Sequence, residues 1–137
     1  MDPAVARLFA AYEDALNRLD PDGQAAFYAD VFISAGPNGS VPQTREQHAG
    51  FARRLVDFYR SIGRAGTRVA GIQHVPISER QVLARIQWAI DFDGRDDPVV
   101  SEVSYVIDRS VGDSPRIVMA IAHDDEEALL RAAGVIA

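Results

Sequence analysis

The chain has no cysteine and no lysine, and it has only one tryptophan. Without cysteine there is no disulfide, no thiolate metal site and no thiol nucleophile. Without lysine there is no amine to form a Schiff base or to anchor pyridoxal phosphate. All 14 basic residues are therefore arginine. No apolar run approaches the ~20 residues that a membrane span requires. Clustered positive charge is also missing: the net charge is −6 and the densest basic stretch is Arg53-Arg54. That balance repels nucleic acid and anionic membrane surfaces, so neither is expected as a partner. No glycine-rich phosphate loop, nucleophile elbow or zinc-binding helix motif occurs. The first residues, Met-Asp-Pro-Ala-Val-Ala-Arg, lack the basic start and apolar stretch of a signal peptide, which makes a cytoplasmic location the expectation.

What is present reads as one domain over residues 1–137, with 47% hydrophobic and 25% charged residues. The stretch at 81–92 organises the rest. Val82, Ala84, Ile86, Trp88, Ile90 and Phe92 fall on one side, and Arg85, Gln87 and Asp91 on the other. A period of two over this length predicts a long strand. Further strands are expected at 31–33, 67–77, 99–108 and 116–123, with turns at 78–80, at Asp93-Gly94 and at 111–115. Residues 35–40 read as loop. Helices are expected before the main strands. Asp2-Pro3 and Asp20-Pro21 are start signals, the second opening a helix to about Tyr28. Thr44 with Gln47 forms a capping box that opens a third helix to about Ile62. The inward stripe of that helix is read as His48, Phe51, Ala52, Leu55, Phe58 and Ile62, with Arg53, Arg54, Asp57 and Arg60 outward. Asp124 is expected to cap a short last helix ending at Gly134. The fold class is α+β: a curved, mostly antiparallel sheet, cone-shaped, covered by three N-terminal helices, with an apolar pocket at its wide end.

The chain resembles the nuclear transport factor 2-like superfamily, also called SnoaL-like or cystatin-like. The residues that carry the resemblance are Ala-Ala-Tyr at 10–12, Phe-Tyr-Ala-Asp at 27–30, Gly-Pro-Asn-Gly at 36–39, Arg-Glu-Gln at 45–47, Phe51, and the strand ending in Asp93-Gly94-Arg95. They extend over nearly the whole chain and speak to fold, since the superfamily hosts many activities. Ketosteroid isomerase is the comparison that can be made residue by residue. The resemblance places Tyr12 where that family has its oxyanion-binding tyrosine. It places Tyr105 near that family's protonated aspartate. The family's general-base aspartate stands directly before a proline, and here Gly36 precedes Pro37. The donors are kept and the proton-moving group is absent, which argues against steroid isomerisation.

Site candidates follow from the residues and this resemblance. Tyr12, His48, Phe51, Trp88, Phe92 and Tyr105 are the expected ligand contacts, and Tyr12, His48 and Tyr105 the catalytic candidates. Val103 and Ile107 share the pocket side of their strand. His48 begins a helix on its apolar side, where the helix N-terminus disfavours the imidazolium, so a neutral ring is expected. Arg85 and Glu102 fall on the opposite sheet face and are expected to form a cross-strand ion pair. Gln87, Ser104 and Val106 join them on a face that the resemblance implies is a homodimer surface. His123, Asp124, Asp125, Glu126 and Glu127, with His74, superficially resemble a metal cluster, but a helix start explains the acids. No metal and no cofactor is expected.

Three functions remain open on these grounds. The chain is a binding domain for a small apolar molecule. Alternatively it is an isomerase, lyase or cyclase acting on an apolar carbonyl compound, with His48 as base. As a third reading it is an interaction module working through its sheet face, with a cone filled by its own side chains.

Overall fold

A computed structural model describes residues 2–109 and 114–137. Helix α1 (Pro3–Asn17) starts where Asp2 accepts a hydrogen bond from the Ala4 N–H at 2.9 Å. It buries Val5, Leu8, Phe9, Tyr12 and Ala15. Helix α2 (Pro21–Ala25) is capped by Asp20, which accepts from the Gly23 N–H. It is shorter than its start signal suggested, because the chain turns extended and Tyr28 already opens the first strand.

Strand β1 (Tyr28–Gly36) and strand β2 (Gly39–Thr44) form a hairpin. The composition of residues 35–40 had pointed to a loop. Only Pro37 and Asn38 are turn, and Gly39 supplies the positive φ of 132° that closes it. Turn-forming residues therefore marked the tip of a hairpin whose second strand carries little hydrophobic pattern.

Helix α3 (Arg45–Ser61) has the expected capping box. Its buried residues are Ala49, Ala52 and Tyr59, whereas Phe51 and Phe58 are 41% and 40% exposed. The expected stripe was rotated: small alanines, not the phenylalanines, make the close approach. Strands β3 (Arg64–Pro76), β4 (Gln81–Phe92), β5 (Val99–Asp108) and β6 (Arg116–Ala122) complete the sheet. Helix α4 (Glu126–Ala132) ends the chain, capped by Asp125. Asp124, expected in that role, instead accepts from the Glu102 backbone N–H at 3.1 Å. The turn foreseen at 111–115 lies largely outside the described residues.

The six strands run in the order β2-β1-β6-β5-β4-β3. All neighbours are antiparallel except β1 and β6. On β4 the apolar set is buried and Arg85 and Gln87 are exposed, as the period of two required. The inner face packs on Phe9 and Tyr12 of α1, joined by Tyr28, Trp88, Tyr105 and Ile107. A second cluster of Tyr59, Ile90, Phe92, Val99 and Leu130 ties α3 and α4 to the end of the sheet. Strand β3 is an edge. Asn17 and Glu13 of α1 accept its Thr67 and Val69 N–H groups at 2.9 and 2.7 Å, which blocks that edge from pairing further. No helix among the described residues is long and apolar enough to cross a membrane.

Candidate functional site

A cavity of 310 Å³ opens between the inner face of the sheet and the helices. Each wall comes from a different element: Tyr12 and Leu16 from α1, Gln24 from α2, and Leu55, Val56, Tyr59 and Arg60 from α3. Arg64 and Thr67 come from β3, Trp88 and Ile90 from β4, and Ser101, Val103 and Tyr105 from β5. Glu126, at the start of α4, closes the outline.

Its aromatic floor is pre-set by hydrogen bonds. The Trp88 Nε1–H donates to the Tyr105 hydroxyl at 2.9 Å. The Tyr12 and Tyr28 hydroxyls share a bond of 2.7 Å. Ring contacts lock the group together, Tyr12 lying 5.6 Å from Trp88 and Phe9 lying 5.0 Å from Tyr105 between centroids. Burial pushes the Tyr12 phenol up to about 12 and holds the Tyr105 and Tyr28 phenols well above their ordinary value. These phenols are donors or acceptors near neutrality and are not bases.

The polar end differs. The Gln24 side chain is 6% exposed, and its amide nitrogen has no hydrogen-bond partner. Tyr59 is 8% exposed, and its hydroxyl also lacks a partner. The Glu126 carboxyl is close enough to that hydroxyl for each group to shift the other. Burial, with Glu126 next, raises the Tyr59 phenol. Burial likewise raises the Glu126 carboxyl, against a smaller opposing effect of the Tyr59 hydroxyl, and lowers the Arg64 guanidinium. Arg64 Nε donates to Thr67 Oγ1 at 2.8 Å, and its Nη2 donates to Leu16 O and Asn17 Oδ1.

Of the six ligand contacts expected from sequence, Tyr12, Trp88 and Tyr105 stand together in this wall. The other three are placed elsewhere. Phe92 is buried against Tyr59 in the second cluster. Phe51 is on the exposed side of α3, with Arg54 over its ring. His48 sits between Tyr28 and Phe32, at centroid distances of 4.2 and 5.3 Å, outside the cavity lining. Its imidazole is lowered to about 4. The neutral ring was expected, but the cause is burial and not the helix end. Val103 lines the cavity, while Ile107 is fully buried core.

Gln24, Tyr59, Arg64 and Glu126 were not singled out from the sequence. Glu126 had been read as an ordinary acid at a helix start. The one available signal was Tyr59, a phenol two residues before the end of α3 on the same helix face as Ala52 and Leu55.

On the outer face, Arg85 and Glu102 form the expected pair at 2.5 Å. Gln87 Nε2 also donates to Glu102, at 2.9 Å. His123 Nε2 bonds Ser104 Oγ at 2.6 Å, and its Nδ1 is 3.4 Å from Glu102. His74 Nε2 accepts from the Asp2 N–H at 2.8 Å. Among the described residues, no group of three or more histidines and carboxylates is placed to hold a metal ion.

No family model matches the chain, and no curated protein matches it. Solved structures do. An NTF2-like protein of unknown function from Shewanella oneidensis is similar with a TM-score of 0.73 and 14% identity, over 88% of this chain and 97% of that one. An NTF2-like protein with a cystatin-like fold from Novosphingobium aromaticivorans gives 0.72 and 14%, over 93% and 86%. A candidate scytalone dehydratase from the same organism gives 0.64 and 13%, over 87% and 80%. At such identities the likeness is one of fold. Together with the curved six-stranded sheet and its helices, it shows that this chain has the NTF2-like, cystatin-like fold.

Proposed function

We propose that this domain binds a small, mainly apolar molecule carrying an acceptor oxygen at one end. The observation that carries this reading is the buried, unpartnered donor Gln24 Nε2 in the cavity wall, which it shares with the Tyr59 hydroxyl, a group with only the Glu126 carboxyl acting on it as an acceptor. A buried donor left unpaired costs about 1–3 kcal/mol, and native proteins keep few of them. An acceptor supplied by a ligand removes that penalty. The rest of the wall, with Leu16, Ile90, Val103 and the Trp88 ring, suits an apolar body.

Trp88 is the sole tryptophan and lines the cavity, so its emission reports occupancy. Titration with 2-acetonaphthone, a flat apolar body with one carbonyl, is expected to give a saturable change. Gln24→Leu should weaken that binding several-fold while leaving the empty protein at least as stable. No saturable change, or equal affinity in the variant, counts against the reading.

The same proposal includes pairing of two copies through the outer sheet face. Ile33, Met119, Val106, Leu83 and Val75 stand in register across five strands there. Sedimentation velocity decides this part: a monomer at every concentration removes it.

A further inference from the structure

The unpartnered donors say that the ligand brings an acceptor; the arginines beside them say what charge it has. Eight arginines hold a carboxylate within 4.0 Å. In a chain with 20 acids and 14 arginines, such pairing is the norm. Among the described residues six arginines have no such partner, and of these Arg60 and Arg64 are the two in the cavity wall. Arg64 spends Nε and Nη2 on Thr67, Leu16 and Asn17, bonds that fix the guanidinium plane and leave Nη1 uncommitted. Opposite them in the wall the only acid is Glu126.

Two arginines thus face one acid in the cavity wall. A neutral carbonyl would satisfy Gln24 or Tyr59 but leave the two arginines with Glu126 as the one counter-charge in the wall. A carboxylate offers two oxygens, about four acceptor positions and a compensating charge, and it matches the fork of a guanidinium. We propose that the ligand is an amphipathic carboxylic acid bound as its anion. Its head lies among Arg60, Arg64, Gln24 and Tyr59, and its apolar body lies along Trp88 and Ile90. This deepens the binding reading and depends on it.

The test compares three probes of one ring system by Trp88 emission: 2-naphthoate, 2-acetonaphthone and methyl 2-naphthoate. 2-Naphthoate is expected to bind at least about tenfold tighter than either neutral probe, an advantage that shrinks as salt is raised. Arg64→Gln should bring its affinity to that of the neutral probes. Because Arg64 also braces the end of α1, Arg60→Gln serves as a second variant. Arg60 is exposed on the last turn of α3 and makes no such brace. It should cut naphthoate binding several-fold and leave 2-acetonaphthone unchanged. Equal affinity for all three probes, or an advantage that survives both substitutions, overturns the anionic assignment and leaves the binding reading intact. Failure of all three probes to bind overturns both.

Discussion

The two faces of the central sheet treat their polar groups in opposite ways. Outside, the charges around Glu102 are answered. Glu102 receives Arg85 and Gln87 and lies beside His123, which bonds Ser104. Inside, the aromatic floor is answered, with Trp88 on Tyr105 and Tyr12 on Tyr28, but Gln24, Tyr59 and two arginines are not. A polar cluster that satisfies itself has little left to offer a small molecule; one left incomplete on a cavity wall has a reason to bind. One arrangement on the outer face has the outline of catalytic machinery. Ser104, His123 and Glu102 line up in the order of an acyl-transfer triad. Yet Ser104 sits mid-strand, paired to Arg85 on one side and Ile121 on the other, so its backbone is committed to the ladder. Nothing there resembles the free donor pair that an oxyanion requires. Glu102 is committed to Arg85.

This contrast has a stability consequence. Trp88→Ala should be the costliest single change. It removes a ring that is 6% exposed and orphans the Tyr105 hydroxyl. A loss of about 3–5 kcal/mol is expected for truncating a buried aromatic of this kind. Urea unfolding followed by circular dichroism measures it, since the variant has no tryptophan to report. The outer counterpart is Arg85→Gln, at a side chain that is 51% exposed. Its effect should be too small to resolve in the same titration, as exposed ion pairs contribute little. Comparable losses from the two would mean that the inner and outer faces contribute alike to stability.

The sequence disclosed the faces better than the site. Strand β4 was legible because an apolar residue recurs at every second position from Val82 to Phe92, and the Arg85–Glu102 pair followed from that period. Capping signals at Asp2, Asp20 and Thr44 were sound because a cap is a local bond between near neighbours. Strand β2 was hidden, since Gly39, Ser40 and Pro42 carry turn-like chemistry and its side chains are mostly exposed. Phe51 misled for a related reason: apolar spacing gives a helix a face but not its rotation, and alanines took the inward place. The polar end of the cavity was out of reach. Gln24, Tyr59, Arg64 and Glu126 come from α2, α3, β3 and α4, and no pattern along a chain announces that four separate elements meet. Asp124 and Asp125 differ by one residue, yet one caps α4 and the other reaches β5, a choice settled by packing.

His48 extends the contrast to acid conditions and carries a smaller expected effect. Its ring packs at a tilt against Tyr28 and edge-on to Phe32, and among the described residues neither ring nitrogen has a hydrogen-bond partner. Burial lowers its pKa from 6.5 to about 4. The folded chain therefore holds fewer protons on this ring than the unfolded chain does between those two values. The stability that this provides is present above pH 6.5 and is lost as the pH falls toward 4. The full shift is discounted because the ring is not wholly shielded, leaving about 2 kcal/mol at stake. Carboxylates titrate over the same range, so the informative quantity is a difference. Wild type and His48→Gln are unfolded in urea at pH 7 and again near pH 4.5, and the two losses are subtracted. Glutamine takes up no proton, so the variant should lose less stability on acidification. It should also leave 2-acetonaphthone affinity at pH 7 unchanged, because the ring lies outside the cavity lining. Equal acid losses in the two proteins would show that the imidazole gains water or a partner on folding. A collapse of probe binding would put His48 in the cavity wall and return it to the list of groups that touch the ligand.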